Sequence, residues 1–121
     1  MNQVEKELLL DMLNNGGTMN RILLNEFIDY VEKQIMLSNE QEYVQDDRGA
    51  YQKDLYVKNV ISETKELMRY GEEVIAIENM LENLNEVSLS VDEYAIELIR
   101  KAFNGKVPKR IEKILNSFMR K

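Results

Sequence analysis

Gly71-Glu72-Glu73-Val74-Ile75-Ala76-Ile77-Glu78-Asn79-Met80-Leu81-Glu82-Asn83-Leu84-Asn85-Glu86 is the stretch on which the fold turns. Val74, Ile77, Leu81 and Leu84 recur at spacings of three and four, which aligns them on one face of an α-helix and scatters them on a strand. Glu72 and Glu73 fall in the first turn, where the unpaired N–H groups of a helix favour negative charge. The spacing predicts a helix over Glu72 to about Asn85, with Gly71 as the break before it.

The same period continues in both directions. Upstream, a helix from about Tyr51 to Arg69 turns Val57, Val60, Ile61, Thr64, Leu67 and Met68 inward, and an earlier one, capped by Thr18, buries Leu24, Phe27, Ile28, Val31 and Ile35. A first helix is expected over Gln3 to Leu13, stopped by Asn14-Asn15-Gly16-Gly17. Downstream, Ser90-Val91-Asp92-Glu93 has the pattern of a capping box, with Leu89 and Tyr94 set for a hydrophobic staple. It opens a helix carrying Ala95, Leu98, Ile99 and Ala102, which ends at Asn104-Gly105. Pro108 then starts a last helix with Ile111, Ile114, Leu115 and Phe118 on one face. Only Ser38 to Gly49 lacks a period and reads as a loop or irregular helical turn. The expectation is an all-α fold: a compact, single-domain bundle of five to six antiparallel helices over residues 1–121.

Composition agrees with one folded domain, since 121 residues with 44% hydrophobic and 31% charged side chains suit a single core and an ordinary charged surface. The chain contains neither cysteine nor histidine. That removes thiol nucleophiles, disulfides, the commonest general base and the usual zinc ligands. No catalytic residue, metal ligand or cofactor site is expected, and Gly16-Gly17-Thr18 lacks the spacing and lysine of a phosphate-binding loop. A magnesium site made only of carboxylates is a distant third reading. Apolar runs are short and broken by charge, and no cleavable leader is apparent, so a cytoplasmic protein without membrane contact is expected. Met12, Met68 and Met80 sit on or beside inward faces and read as core filling.

Charge is unevenly spread. Residues 1–99 hold 21 acidic against 8 basic side chains, a net of −13, whereas residues 100–121 hold 8 basic against Glu112 alone, a net of +7. An acidic body of this kind repels nucleic acid and attracts cationic partners. Between Arg69 and Arg100 there is no Lys or Arg at all, and Glu78, Glu82 and Glu86 stand four residues apart on one helix flank. Like charges at that spacing cost about 0.2–0.5 kcal/mol per pair. Two readings follow: the basic C-terminal segment packs alongside and neutralises the stripe, or the stripe docks a basic protein. For the second, the expected partner-binding residues are Glu72, Glu78, Glu82 and Glu86, joined by Asp46, Asp47, Tyr43 and Tyr51 from the segment where Tyr43, Tyr51 and Tyr56 cluster among acids. Tyrosine ringed by charge suits an interface, and equally suits a loop pinned to the domain.

Residues 71–86, with the Leu89-Ser90 entry to the next helix, resemble the signature region of the MafI-like immunity proteins of bacterial polymorphic and contact-dependent toxin systems. The shared pattern is Gly-Glu, an inward Ala, Glu, then Glu-Asn-Leu-x-Glu, and the resemblance covers about residues 55–105. Members often carry an aromatic residue where this chain has Glu73. The resemblance implies a small helical protein that binds and neutralises a cognate toxin domain in the cytoplasm. Charge then points to a basic, nuclease-type toxin as the partner. The alternative is a helical adaptor or regulator that uses an apolar groove or dimer face. Oligomeric state is not legible.

Overall fold

The computed structural model describes residues 19–38 and 41–119. The helix expected over Gln3 to Leu13 lies outside them. Five helices and one β-hairpin follow in order: α1 (Arg21–Leu37), β1 (Tyr43–Asp46), β2 (Gly49–Gln52), α2 (Lys53–Arg69), α3 (Glu73–Glu86), α4 (Glu93–Ala102) and α5 (Lys109–Met119). Most of the chain is helical, as the periodicity predicts. α1 packs on α4 and α2, α2 on α3, and α3 on α5, while the hairpin lies against α2. Buried apolar side chains from all five helices and from Val44 form one contiguous cluster.

The inward faces agree closely with the expected stripes. Leu24, Phe27, Ile28, Val31 and Ile35 of α1 are buried, as are Val57, Val60, Ile61, Thr64 and Met68 of α2. On α3 the face is rotated. Val74 is 40% exposed, and Ala76 and Met80 take core positions beside Ile77, Leu81 and Leu84. α3 packs on both α2 and α5, and its buried arc is broader than one line of residues.

Helices α2, α3 and α4 end in the same way. After α2, Glu72 N–H donates to the Leu67 carbonyl at 2.9 Å and Gly71 N–H to Met68 at 3.1 Å. After α3, the pairs are Leu89 to Leu84 at 2.9 Å and Ser88 to Asn85 at 3.0 Å; after α4, Gly105 to Arg100 at 2.9 Å and Asn104 to Lys101 at 3.0 Å. These are paired Schellman bonds, which need a left-handed residue at the turn. Gly71 supplies it freely at φ 78° and Asn104, whose side chain tolerates this region, at φ 55°, but Ser88 at φ 61° does so against the preference of its side chain.

Two starts differ from the sequence reading. Asn20, not Thr18, caps α1, its Oδ1 accepting from Leu23 N–H at 3.2 Å. Asp92, not Ser90, caps α4 by accepting from Ala95 N–H at 3.0 Å. Both aspartate oxygens are used, because Oδ2 accepts from the Tyr30 hydroxyl at 2.5 Å. That second bond anchors α4 to α1 and explains why the later residue wins. Tyr94 lies against the Tyr30 ring, centroids 4.7 Å apart.

The larger correction to the all-α expectation is the hairpin, read from sequence as a loop. Tyr43, Val44, Gln45 and Asp46 pair antiparallel with Gln52, Tyr51, Ala50 and Gly49. Only Val44 is buried in β1, so alternation over four residues leaves almost no period to detect. The Asp47-Arg48 turn also lacks the Asn-Gly type of signal for a two-residue hairpin. It is held instead by Asp46 Oδ1 accepting from Arg48 N–H at 2.8 Å, and by Gly49 at φ 149°. Among the described residues no helix is long and apolar enough to cross a membrane.

Candidate functional site

The acidic stripe on α3 is divided by what faces it. Because α5 packs on α3, Arg110 approaches Glu78 at 3.7 Å, and Glu82 shares a shallow surface depression with Lys113 and Arg110. The pairing is peripheral, with Arg110's side chain 84% exposed and that of Glu78 16%. The basic helix therefore balances the first two glutamates of the stripe. Glu86, at the far end of α3, faces another element.

Glu86 lines a groove of about 590 Å³ between the hairpin, α2 and the end of α3, together with Asp46, Tyr51, Tyr56, Glu63 and Asn83. The hairpin positions the first two: Tyr51 sits opposite Val44 in the ladder, so packing Val44 onto α2 turns Tyr51 and Asp46 toward the same side. The Tyr51 and Tyr56 rings lie 5.4 Å apart, tilted by 39°. Tyr56 donates its hydroxyl to the Asn83 carbonyl at 2.9 Å, tying α2 to the last turn of α3. Leu55, 58% exposed, borders the groove, and Arg48 is the only cation lining it among the described residues.

Both phenols are held above their ordinary pKa. For Tyr51 the causes are burial, then the charge of Asp46 and a hydrogen bond to its carboxylate, with Arg48 acting in the opposite sense. For Tyr56 burial leads, followed by the charges of Glu86 and Asp46, with Tyr51 and Glu63 adding to them. The hydroxyls thus remain protonated donors at neutral pH in a groove of negative potential. Among the described residues no cluster of three or more acids is arranged to hold a metal ion. The groove's chemistry is that of aromatic faces and a flanking leucine ringed by carboxylates, which complements a cationic side chain.

Of the residues expected at an interface, the groove gathers Asp46, Tyr51 and Glu86. Asp47 stands exposed at the hairpin turn beside it. Tyr43 is exposed on the strand pair and lines a separate cleft with Gln41, Glu42 and Lys53. Glu78 and Glu82 lie toward α5. Glu72 is at the opposite end of α3, exposed and making no side-chain cap, and a 14-residue helix puts it about 20 Å from Glu86. Sequence reading passed over Leu55, Glu63 and Asn83 as site residues, and Tyr56 entered only as one of a tyrosine cluster. A signal existed for α2: Tyr56, Asn59 and Glu63 recur at three and four residues on a polar flank, beside an apolar Leu55 that the core face does not need.

No family model matches the chain, and no curated protein or solved structure is significantly similar to it.

Proposed function

We propose that the chain is an immunity protein that binds a cognate toxin domain, a basic nuclease-type protein, in the cytoplasm and neutralises it by occlusion, without catalysis of its own. The observation that carries this reading is the groove. Three carboxylates (Asp46, Glu63 and Glu86) surround two tyrosines and an exposed leucine, the combination that desolvates and pairs an inserted arginine or lysine at an interface hot spot. The stretch resembling the MafI-like proteins contributes Asn83 and Glu86 to this groove, so motif and geometry coincide there. Surrounding negative charge would speed encounter and make it sensitive to salt, with a Debye length of about 8 Å at physiological ionic strength.

A second reading draws on the Glu78–Arg110 contact. Where acids serve to balance the basic helix, the protein is an adaptor or regulator whose partner need not be basic. Titrating the chain calorimetrically with the toxin domain encoded beside it separates the two. The immunity reading expects a one-to-one complex that weakens with salt and with Asp46→Lys and Glu86→Lys together. Absence of binding, or binding indifferent to both changes, favours the adaptor.

A further inference from the structure

Lys53 begins α2, yet its side chain does not reach solvent: the residue is 3% exposed and is the only charged residue buried among those described. Its ammonium donates to the Ser38 carbonyl. No carboxylate among the described residues lies within salt-bridge distance of it. An ammonium has three donors, and burying it against one neutral carbonyl leaves most of its lost hydration uncompensated. It lines a polar cavity of about 170 Å³ with Gln34, Ser38, Gln41, Ser88 and Ser90, and no acid is among the described residues that line it. Gln34 borders the same space: its buried amide oxygen has no hydrogen-bond partner, and the amide turned over presents two N–H donors there instead. The positive end of the α2 dipole lies at the same place.

We propose that this cavity binds a small oxyanion, such as phosphate or a short carboxylate, with Lys53 supplying the charge and the Ser88, Ser90, Gln34 and Gln41 side chains the neutral hydrogen bonds. The volume equals the liquid-state share of roughly five or six waters, enough for a tetrahedral oxyanion and little more. A ligand extending outward meets the wider cleft that also contains Lys53, where Glu42 and Asp54 repel it, so the site selects compact anions. The site is separate from the tyrosine groove and does not depend on the immunity reading.

The test is a titration of the ¹⁵N-labelled protein with sodium phosphate, and separately sodium acetate, against sodium chloride at matched ionic strength. The expected result is saturable movement of the Lys53, Ser88 and Ser90 amide signals with the oxyanions alone. In Lys53→Met, which keeps the apolar stem, affinity falls by at least about tenfold, the size of one charge-assisted bond. Ser90→Asp provides a built-in carboxylate on an exposed position: it abolishes the response and raises the melting temperature, which keeps the claim testable should Lys53→Met fold poorly. Shifts that match those in chloride overturn the proposal, as does saturation that persists in Ser90→Asp. Either would identify a water-filled cavity.

Discussion

Reversing charge at two positions of the same helix stripe should have opposite consequences for stability. Glu78 faces Arg110 at 3.7 Å and shares its surroundings with Lys113, whereas Glu86 shares a groove with Asp46 and Glu63. A pair with one well-exposed partner, as Arg110 is in Glu78–Arg110, contributes about 0.5 kcal/mol, and Glu78→Lys both removes it and adds a repulsion of similar size, about 1 kcal/mol together. With an unfolding entropy near 2.1 cal/mol/K per residue, that is a fall in Tm of about 4 °C for a chain of this length. Arg110→Glu in the same molecule should restore most of it. Glu86→Lys instead relieves repulsion among three acids, so Tm should hold or rise slightly. Thermal unfolding by circular dichroism at low salt reads all three variants, and 1 M salt, with a Debye length of about 3 Å, should shrink every difference. If Glu86→Lys lowers Tm as far as Glu78→Lys does, or Arg110→Glu gives no rescue, the division of the stripe is wrong.

Alkaline pH gives a further prediction. The raised pKa of Tyr30, from its hydrogen bond to Asp92 first and burial second, joins those of Tyr51 and Tyr56. Above pH 10 the unfolded chain loses phenolic protons that the native state keeps, so the stabilisation is complete below that pH and declines as pH rises toward the folded values. Urea unfolding at pH 9, 10 and 11 should show falling midpoints, with a shallower decline in Tyr56→Phe. Leu81→Ala, at a fully buried position on the helix packed between α2 and α5, should cost about 3–5 kcal/mol by denaturant unfolding. Asp92→Ala removes the α4 cap, worth about 1–2 kcal/mol, together with the acceptor for Tyr30, and should lower the same midpoint while moving the Tyr30 ring signals.

Legibility from sequence followed the strength of the local pattern. On α1, α2, α4 and α5 the period of three and four names most core residues correctly, with Leu67 and Ile114 only half-buried at the edge of the core. α3 escapes in part: Val74, in its first turn, belongs to the same period as Ile77 yet is exposed, while Ala76 and Met80 are buried. The hairpin was invisible because its register rests on a single buried valine, an aspartate-braced turn and the surface of α2, none of which leaves a periodic trace. Asp46 and Tyr51 were singled out for their residue types in a segment of unknown conformation, while Glu63 and Asn83 joined them only through the packing of α2 on α3. The different fates of Glu78 and Glu86, two members of one stripe at four-residue spacing, depend on which element each one meets.

The central claim is that this chain protects a cell by occupying a basic toxin through the acid-and-tyrosine groove. Co-expression with a candidate toxin domain from a neighbouring gene, scored as surviving colonies, is the direct test. The account predicts survival with the wild-type chain and with Glu78→Lys, and death with Asp46→Lys combined with Glu86→Lys although that variant remains folded and abundant. Death in the presence of abundant, folded wild-type protein would contradict the claim, and survival unaffected by the groove variant would move the interface elsewhere.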